Sequence, residues 1–403
     1  AACSGSELDT RRRPALLLLL RLVHAASPQL QLSSPSTRKT LVALLCQLCC
    51  TCKDGEVGKL AAQALSTHLL APMNREKTFD VLLTKLAPAL DPDSPSSMHT
   101  CALAVLGALA KRDNAALGSS ARRVPMLAKL MEAALPESGD VSPDEAAAAL
   151  PAPLLQARCA AQLLMIKALA NEALGNASTA ARPAAATTAL VAASPDGAGP
   201  TRVETLVHRL LGALEVEGRL GAAAEAGEEA QAKVRLAAGC ALLKLIRMPA
   251  LKVEAHMGPL GWHKLALLMH DPDPSTRLNF CEKIAKESKR RVIADKRETK
   301  LGAPAEYQAT RRIGLPPHFI AMLALAVLDP DPVNAQAAKK HLIHLVGIWR
   351  ACADKLDQPR ALPEMQLPWL VHTLAHHPDY ELDDAAKISA QRCLDAFVEA
   401  CLA

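Results

Sequence analysis

Asp271-Pro272-Asp273 separates two helix-like stretches, and the phrase recurs as Asp91-Pro92-Asp93 and Asp329-Pro330-Asp331, with a degenerate fourth copy at His377-Pro378-Asp379. Each copy follows a Leu-rich run and precedes another helix-forming run. Pro stops the preceding helix and suits the first turn of the next one. Asp caps the orphan amides of the new helix and suits its dipole. The runs between the boundaries carry helical spacing: Leu236, Gly239, Cys240, Leu243 and Ile246 fall on one face, with Lys233, Lys244 and Arg247 towards the other. Such a helix cannot bury its apolar face alone and needs neighbours.

Working outward, first helices of pairs are expected near residues 54, 95, 153, 229, 274 and 332, with another helix from 383. The closer starts lie roughly 40–50 residues apart, the period of HEAT and armadillo repeats. Three segments fall outside the period and are expected as loops or disordered insertions: 136–153, rich in Pro and Ala; 175–200, with Asn, Ser, Thr, Gly and Pro; and the basic stretch 286–314. The predicted fold class is all-α, a HEAT/armadillo-like α-α superhelical solenoid with disordered insertions, running as one array over 1–403. Recurrence of Asp-Pro-Asp favours this over one globular helical domain.

Composition agrees. Half of the 403 residues are hydrophobic, Leu and Ala dominate, and aromatics are only 2%. Leu and Ala favour helix, whereas the aromatics that favour strands are scarce. So few aromatics also argue against a large aromatic-lined ligand pocket. A net charge of +5 is too small to imply a nucleic-acid partner by itself. Twelve cysteines at irregular spacing, many inside Leu/Ala runs, fit small buried hydrophobes in a reducing compartment. Arg11 to Leu20 mimics a signal peptide, but Arg21 ends the Leu run and no clean cleavage site follows. No apolar stretch approaches the roughly 18 residues of a membrane span.

Three segments resemble one family in order and approximate spacing. Val234-Arg235-Leu236-Ala237-Ala238-Gly239 leads into Ala241-Leu242-Leu243-Lys244-Leu245; Leu315-Pro316-Pro317-His318-Phe319-Ile320-Ala321-Met322 leads to Ala326-Val327-Leu328-Asp329-Pro330; Leu362-Pro363-Glu364 precedes Val371-His372-Thr373-Leu374-Ala375-His376 and Pro378-Asp379-Tyr380. From Gln231 to Tyr380 this resembles the fifth "precocious dissociation of sisters" family, HEAT-repeat regulators of cohesin. From Arg13 to Leu214 helix pairs align only by pattern. The resemblance implies a non-catalytic scaffold that binds the kleisin subunit of cohesin, works with the wings-apart-like releasing factor, and supports sister chromatid cohesion and its release in mitosis. It implies a nuclear, chromatin-associated protein whose contact with DNA is indirect. Arg235, Asp271, Asp329, Pro378 and Asp379 are its family-motif structural positions. The basic stretch is longer than the family pattern suggests, and neither an N-terminal partner-peptide module nor a lysine-rich C-terminal tail is visible. The chain is therefore expected to be a fragment of a longer protein.

The chemical motifs favour structure over catalysis. Cys46, Cys49, Cys50 and Cys52 cluster, but zinc usually takes two separated ligand pairs, and His68 is the nearest other candidate. His372 and His376 have chelating i, i+4 spacing, with His377 following, yet no Glu follows His372 as in metalloproteases. A helix-end role suits these better, and His341 and His344 read alike. Asp383-Asp384 fits a helix start better than an acid/base pair. Asn176-Ala177-Ser178 matches a glycosylation triplet, common by chance. Neither a P-loop nor a Gly-x-Ser-x-Gly elbow is present, so no enzyme, cofactor, metal or small-molecule substrate is expected. The alternative is another HEAT or armadillo adaptor, such as a nuclear transport or assembly scaffold. Armadillo carriers use a Trp-x-x-x-Asn ladder, and Trp262, Trp349 and Trp369 each lack Asn four residues on.

One charge feature stands out. Lys289, Arg290, Arg291, Lys296, Arg297 and Lys300 form a candidate DNA or partner patch, within a segment that also holds Lys286, Arg311 and Arg312. Glu287, Asp295, Glu298 and Glu306 dilute it, and Tyr307 is its one aromatic for base stacking. It is readable as a solvated loop, a localisation signal or a sequence-independent phosphate contact.

Overall fold

The computed structural model describes residues 12–26, 35–66, 72–92, 98–112, 123–136, 152–180, 201–301, 314–356, 362–377 and 384–402. Among these residues every regular element is a helix and there is no strand. The chain divides into two units: residues 1–201 with 220–226, and residues 202–219 with 227–403.

In the first unit, α1 (Arg12–Ala26), α3 (Gly55–Ala64), α5 (His99–Arg112) and α7 (Ala152–Ala180) pack one on the next. A second layer holds α2 (Pro35–Thr51), α4 (Pro72–Leu90) and α6 (Arg123–Ala134) in the same succession. Leu45, Val57, Phe79, Leu103 and Leu169 are buried between the layers. Asp54 starts α3 by accepting from the Glu56 and Val57 amides at 2.8 and 3.3 Å. Two buried amides on α7 tie neighbours together. Asn171 donates to the Gly107 carbonyl at 2.9 Å, and Gln162 donates to the Ala134 and Leu220 carbonyls at 3.1 and 3.0 Å. Leu220 precedes a short helix, α9 (Ala222–Ala226), that packs on α7.

The second unit repeats the plan. One layer runs through α10 (Glu228–Ile246), α12 (Pro274–Leu301), α14 (Pro332–Leu356) and α16 (Asp384–Leu402). The other holds α8 (Arg202–Glu215), α11 (Val253–Ala266), α13 (Ile320–Leu325) and α15 (Leu367–Ala375), several extended by 3-10 turns. Leu243, Leu265, Phe280, Leu323, Trp349 and Phe397 are buried in its core. Gly239 lets α10 close on its neighbours, because an added Cβ would overlap the Leu268 side chain and crowd Phe280 at 3.2 Å. Within α11 the backbone leaves helical geometry at Gly258 (φ 61°), just before Pro259.

The architecture is therefore all-α and of helical-repeat type. Layer helices expected near 54, 153, 229, 274, 332 and 383 begin at Gly55, Ala152, Glu228, Pro274, Pro332 and Asp384; the one expected at 95 begins at His99. The segments expected as loops differ in part. α7 continues through residues 175–180 and α12 through 286–301. No Gly or Pro interrupts Ser275 to Leu301, and Lys, Arg, Glu and Ala favour helix whatever their charge. Residues 137–151, 181–200 and 302–313 lie outside the described residues, as do His68, Pro378, Asp379 and Asp383.

α8 ends in a turn that requires Gly at position 218. Glu217 already sits at φ 55°, Gly218 follows at φ 77°, and the Gly218 amide donates to the Ala213 carbonyl at 2.8 Å. A Cβ on Gly218 would run into the Gln231 carbonyl on α10. Gly218→Ala combines left-handed strain with a backbone clash and is expected to cost about 2 kcal/mol. A denaturant titration with an unshifted midpoint would contradict this account of the turn.

Candidate functional site

In the two Asp-Pro-Asp copies of the second unit the two carboxylates have different tasks. The second one caps. Asp273 accepts from the Thr276 amide at 2.7 Å, Asp331 accepts from the Val333 amide at 2.9 Å, and Pro274 and Pro332 occupy the first helical positions. The first carboxylate receives an arginine from the preceding layer helix. Arg235 on α10 forks onto Asp271 at 2.6 and 2.8 Å. Arg277 on α12 forks onto Asp329 at 2.6 and 2.9 Å. Both carboxylates are buried, Asp329 completely. The arginines use their remaining nitrogens on backbone: Arg235 donates to the Glu217 carbonyl at 2.6 Å and Arg277 to the Asp271 carbonyl at 2.7 Å. Asp271 and Asp329 also accept from the amides two residues on, at 2.9 and 2.8 Å. Arg13 and Asp54 form an exposed version in the first unit.

The series changes after Asp329. Ala335 stands where Arg277 would recur, and His377 stands where the Asp would. His377 Nε2 lies 2.7 Å from His270 Nδ1, whose Nε2 donates to the Leu325 carbonyl at 3.2 Å. A carbonyl only accepts, so His270 carries its proton on Nε2 and takes one from His377. A histidine pair thus stands in place of the ionic rung.

A second buried carboxylate organises the basic segment. Glu287, wholly buried on α12, is met by Arg247 at 2.8 Å, Lys283 at 3.2 Å and Arg290 at 2.9 Å. Burial alone would raise its pKa, but Arg247, Lys283 and Arg290 outweigh that and hold it below the usual value. Arg290 is therefore committed to an internal contact. Lys289 faces a groove instead. For Arg291, Lys296, Arg297 and Lys300 only the helical backbone is described.

That groove, of about 1430 Å³, runs between α12 and α14. Lys283, Lys286 and Lys289 line one side at helical spacing, and Lys339 and Lys340 the other, against the single carboxylate of Glu282. His341 and His344 also line it. Burial lowers the His341 pKa, helped by His344 and Lys340, against the pull of Glu282. Val333 and Ile343 are exposed apolar side chains in the same wall. The α14 lysines did not stand out in the sequence, because their meeting with α12 is tertiary. The 283, 286, 289 spacing was the available signal.

Cys49 and Cys52 are buried, Cys46 and Cys50 half-buried, and burial pushes the Cys46, Cys49 and Cys50 thiols up. Raised thiols are poor nucleophiles at neutral pH. His372 and His376 stack edge to face at 4.5 Å, while His377 turns to His270, so the three do not converge. Among the described residues no group of three or more His, Cys, Asp or Glu could hold a metal. Trp262, Phe319, Trp369 and His318 gather with ring centroids 4.6–5.1 Å apart. The Trp262 indole donates to Thr373 Oγ1 at 3.1 Å.

Forward-reaching arginines at successive helix-pair boundaries place the chain among HEAT-type helical-repeat proteins. It belongs to the family described as "Sister chromatid cohesion protein PDS5 protein", whose match covers residues 7–403. The human "Sister chromatid cohesion protein PDS5 homolog A" is 27% identical over 180 residues, 43% of this chain and 12% of that protein. The Xenopus laevis homolog A-B is 26% identical over 178 residues, again 43% and 12%. The human homolog B is 25% identical over 195 residues, 46% of the chain and 11% of the relative. The aligned stretch thus spans about an eighth of these relatives' length.

Removing one partner of a buried pair strands the other charge. Asp329→Ala or Arg277→Ala should each destabilise by about 3–5 kcal/mol, and the double variant by less than the sum. Additive losses in chemical denaturation would show that the two groups do not act as a pair. Acid should act on the same groups. For Asp329 burial opposes ionisation, but the Arg277 fork and the Asp331 amide hold the pKa low; Asp273 is held low by Ser275 and Thr276 against the same burial. A depressed folded pKa contributes stability at neutral pH that is lost below about 4, as pH falls through the folded value. Melting temperature should therefore drop steeply below that pH, and less steeply in Asp329→Asn.

Proposed function

We propose that this chain is part of a non-catalytic regulatory scaffold of cohesin, supporting the maintenance and mitotic release of sister chromatid cohesion through the kleisin subunit of the ring. The observation that carries this reading is membership of the PDS5 family over residues 7–403. The wings-apart-like releasing factor is the second partner, and the site of action is the nucleus, on chromatin reached through the ring. In this reading Lys289, Arg291, Lys296, Arg297 and Lys300 form the partner-contacting part of the basic stretch, Arg290 being held by Glu287.

The physical argument concerns surface. Helix pairs stacked in two layers present long faces to solvent, suited to an extended partner segment. A disordered kleisin segment loses chain entropy on docking, so affinity should be moderate and binding reversible, without nucleotide. Immunoprecipitation of the full-length parent from dividing cells should recover cohesin subunits. Leu243, fully buried in α10, offers the loss-of-fold control. Leu243→Asp should abolish recovery, because an unpaired buried carboxylate costs roughly several kcal/mol. Recovery of no cohesin subunit, at salt low enough to keep the ring intact, would overturn the assignment.

A further inference from the structure

We infer that the groove between α12 and α14 is a docking site for an acidic, amphipathic peptide segment of a partner protein. The inference names the chemistry of the occupant and stands whether or not the cohesin reading holds.

Charge sets the sign of the occupant. Five lysines line the groove against one carboxylate. Lys283 is drawn towards Glu287 at 3.2 Å and Lys339 lies 3.7 Å from Glu399. Lys286, Lys289 and Lys340 are exposed and make no ion pair among the described residues. Three ammonium groups held on two packed helices repel one another, and an anionic ligand relieves that repulsion.

The rest of the wall chooses between peptide and nucleic acid. Val333 is 66% exposed and Ile343 is 40% exposed. A phosphate backbone would lie against these side chains without gain, whereas Leu or Ile on a peptide would bury them. The lining holds neither Arg for bidentate phosphate contact nor Phe, Tyr or Trp for base stacking. Lysines spaced three residues apart on α12 match carboxylates recurring at helical spacing. A helix laid in a groove, with acidic flanks and an apolar stripe, satisfies both walls.

The test uses the whole chain and a fluorescein-labelled peptide with Glu and Leu at helical spacing, followed by fluorescence anisotropy. The peptide should bind reversibly and more weakly as ionic strength rises. Lys286→Glu/Lys289→Glu/Lys340→Glu should weaken it by about tenfold or more, the sum of three modest surface pairs. Val333→Ser/Ile343→Ser should also weaken it, while Lys387→Glu on α16 should leave it unchanged. All these side chains are exposed, and circular dichroism should show unaltered helicity in every variant. A Glu/Ser peptide of equal charge should bind more weakly than Glu/Leu. Equal binding of the two, or displacement of the peptide by duplex DNA at lower concentration than by unlabelled peptide, would make the groove a phosphate surface and overturn the proposal. Full affinity in the triple-charge variant would overturn it as well.

Discussion

The Asp329 carboxylate has no contact with water, and a charge so placed is tolerable only beside a fitted partner. That partner, Arg277, stands 52 residues earlier, on the preceding layer helix. The constraint therefore sets how one helix pair meets the next. The guanidinium is planar, so its fork fixes angle as well as distance. Its third nitrogen grips the Asp271 carbonyl, at the boundary where Arg235 has already engaged the Asp271 side chain. The Asp271 boundary thus receives one arginine from behind and sends another forward. Capping by the second Asp, the Pro at the first helical turn and the close approach at Gly239 all operate within spacing that these forks set.

Much of this was legible beforehand, for reasons that differ by element. Starts at 229, 274 and 332 were readable because Pro and Asp are strong local punctuation, and local punctuation survives in sequence. The start near 95 slipped to His99, where the acidic boundary is followed by further turn-forming residues. Residues 286–301 form helix where their charge density suggests a loop, because Lys, Arg, Glu and Ala keep their helix propensity. The difference between the two aspartates of one phrase could not be read at all. Both suit a helix start, and only the arrival of Arg235 or Arg277 separates the ladder residue from the cap. Lys339 and Lys340 were invisible for the same reason: their company on α12 is about fifty residues away.

Glu287 shows how a basic helix can be both anchored and presented. Arg247, just past the end of α10, pairs with Glu287 and so fixes the rotation of α12 about its axis, while Lys283 and Arg290 add partners from α12 itself. The lysines on the other face then have a fixed direction. The aromatic knot of Trp262, Phe319 and Trp369 plays a related part among the shorter helices of the opposite layer.

The forward direction of the arginine forks also bears on how such a chain can change length over evolutionary time. A duplication or loss that begins and ends at the same point of the repeat hands the arginine of one pair to the next Asp-Pro-Asp, and every charge remains matched. A breakpoint falling between an arginine and its aspartate leaves an unmatched ion in the interior. Rearrangement is thereby confined to one phase of the repeat. Where the chain leaves that phase, at Ala335 and His377, both members of the pair have changed together.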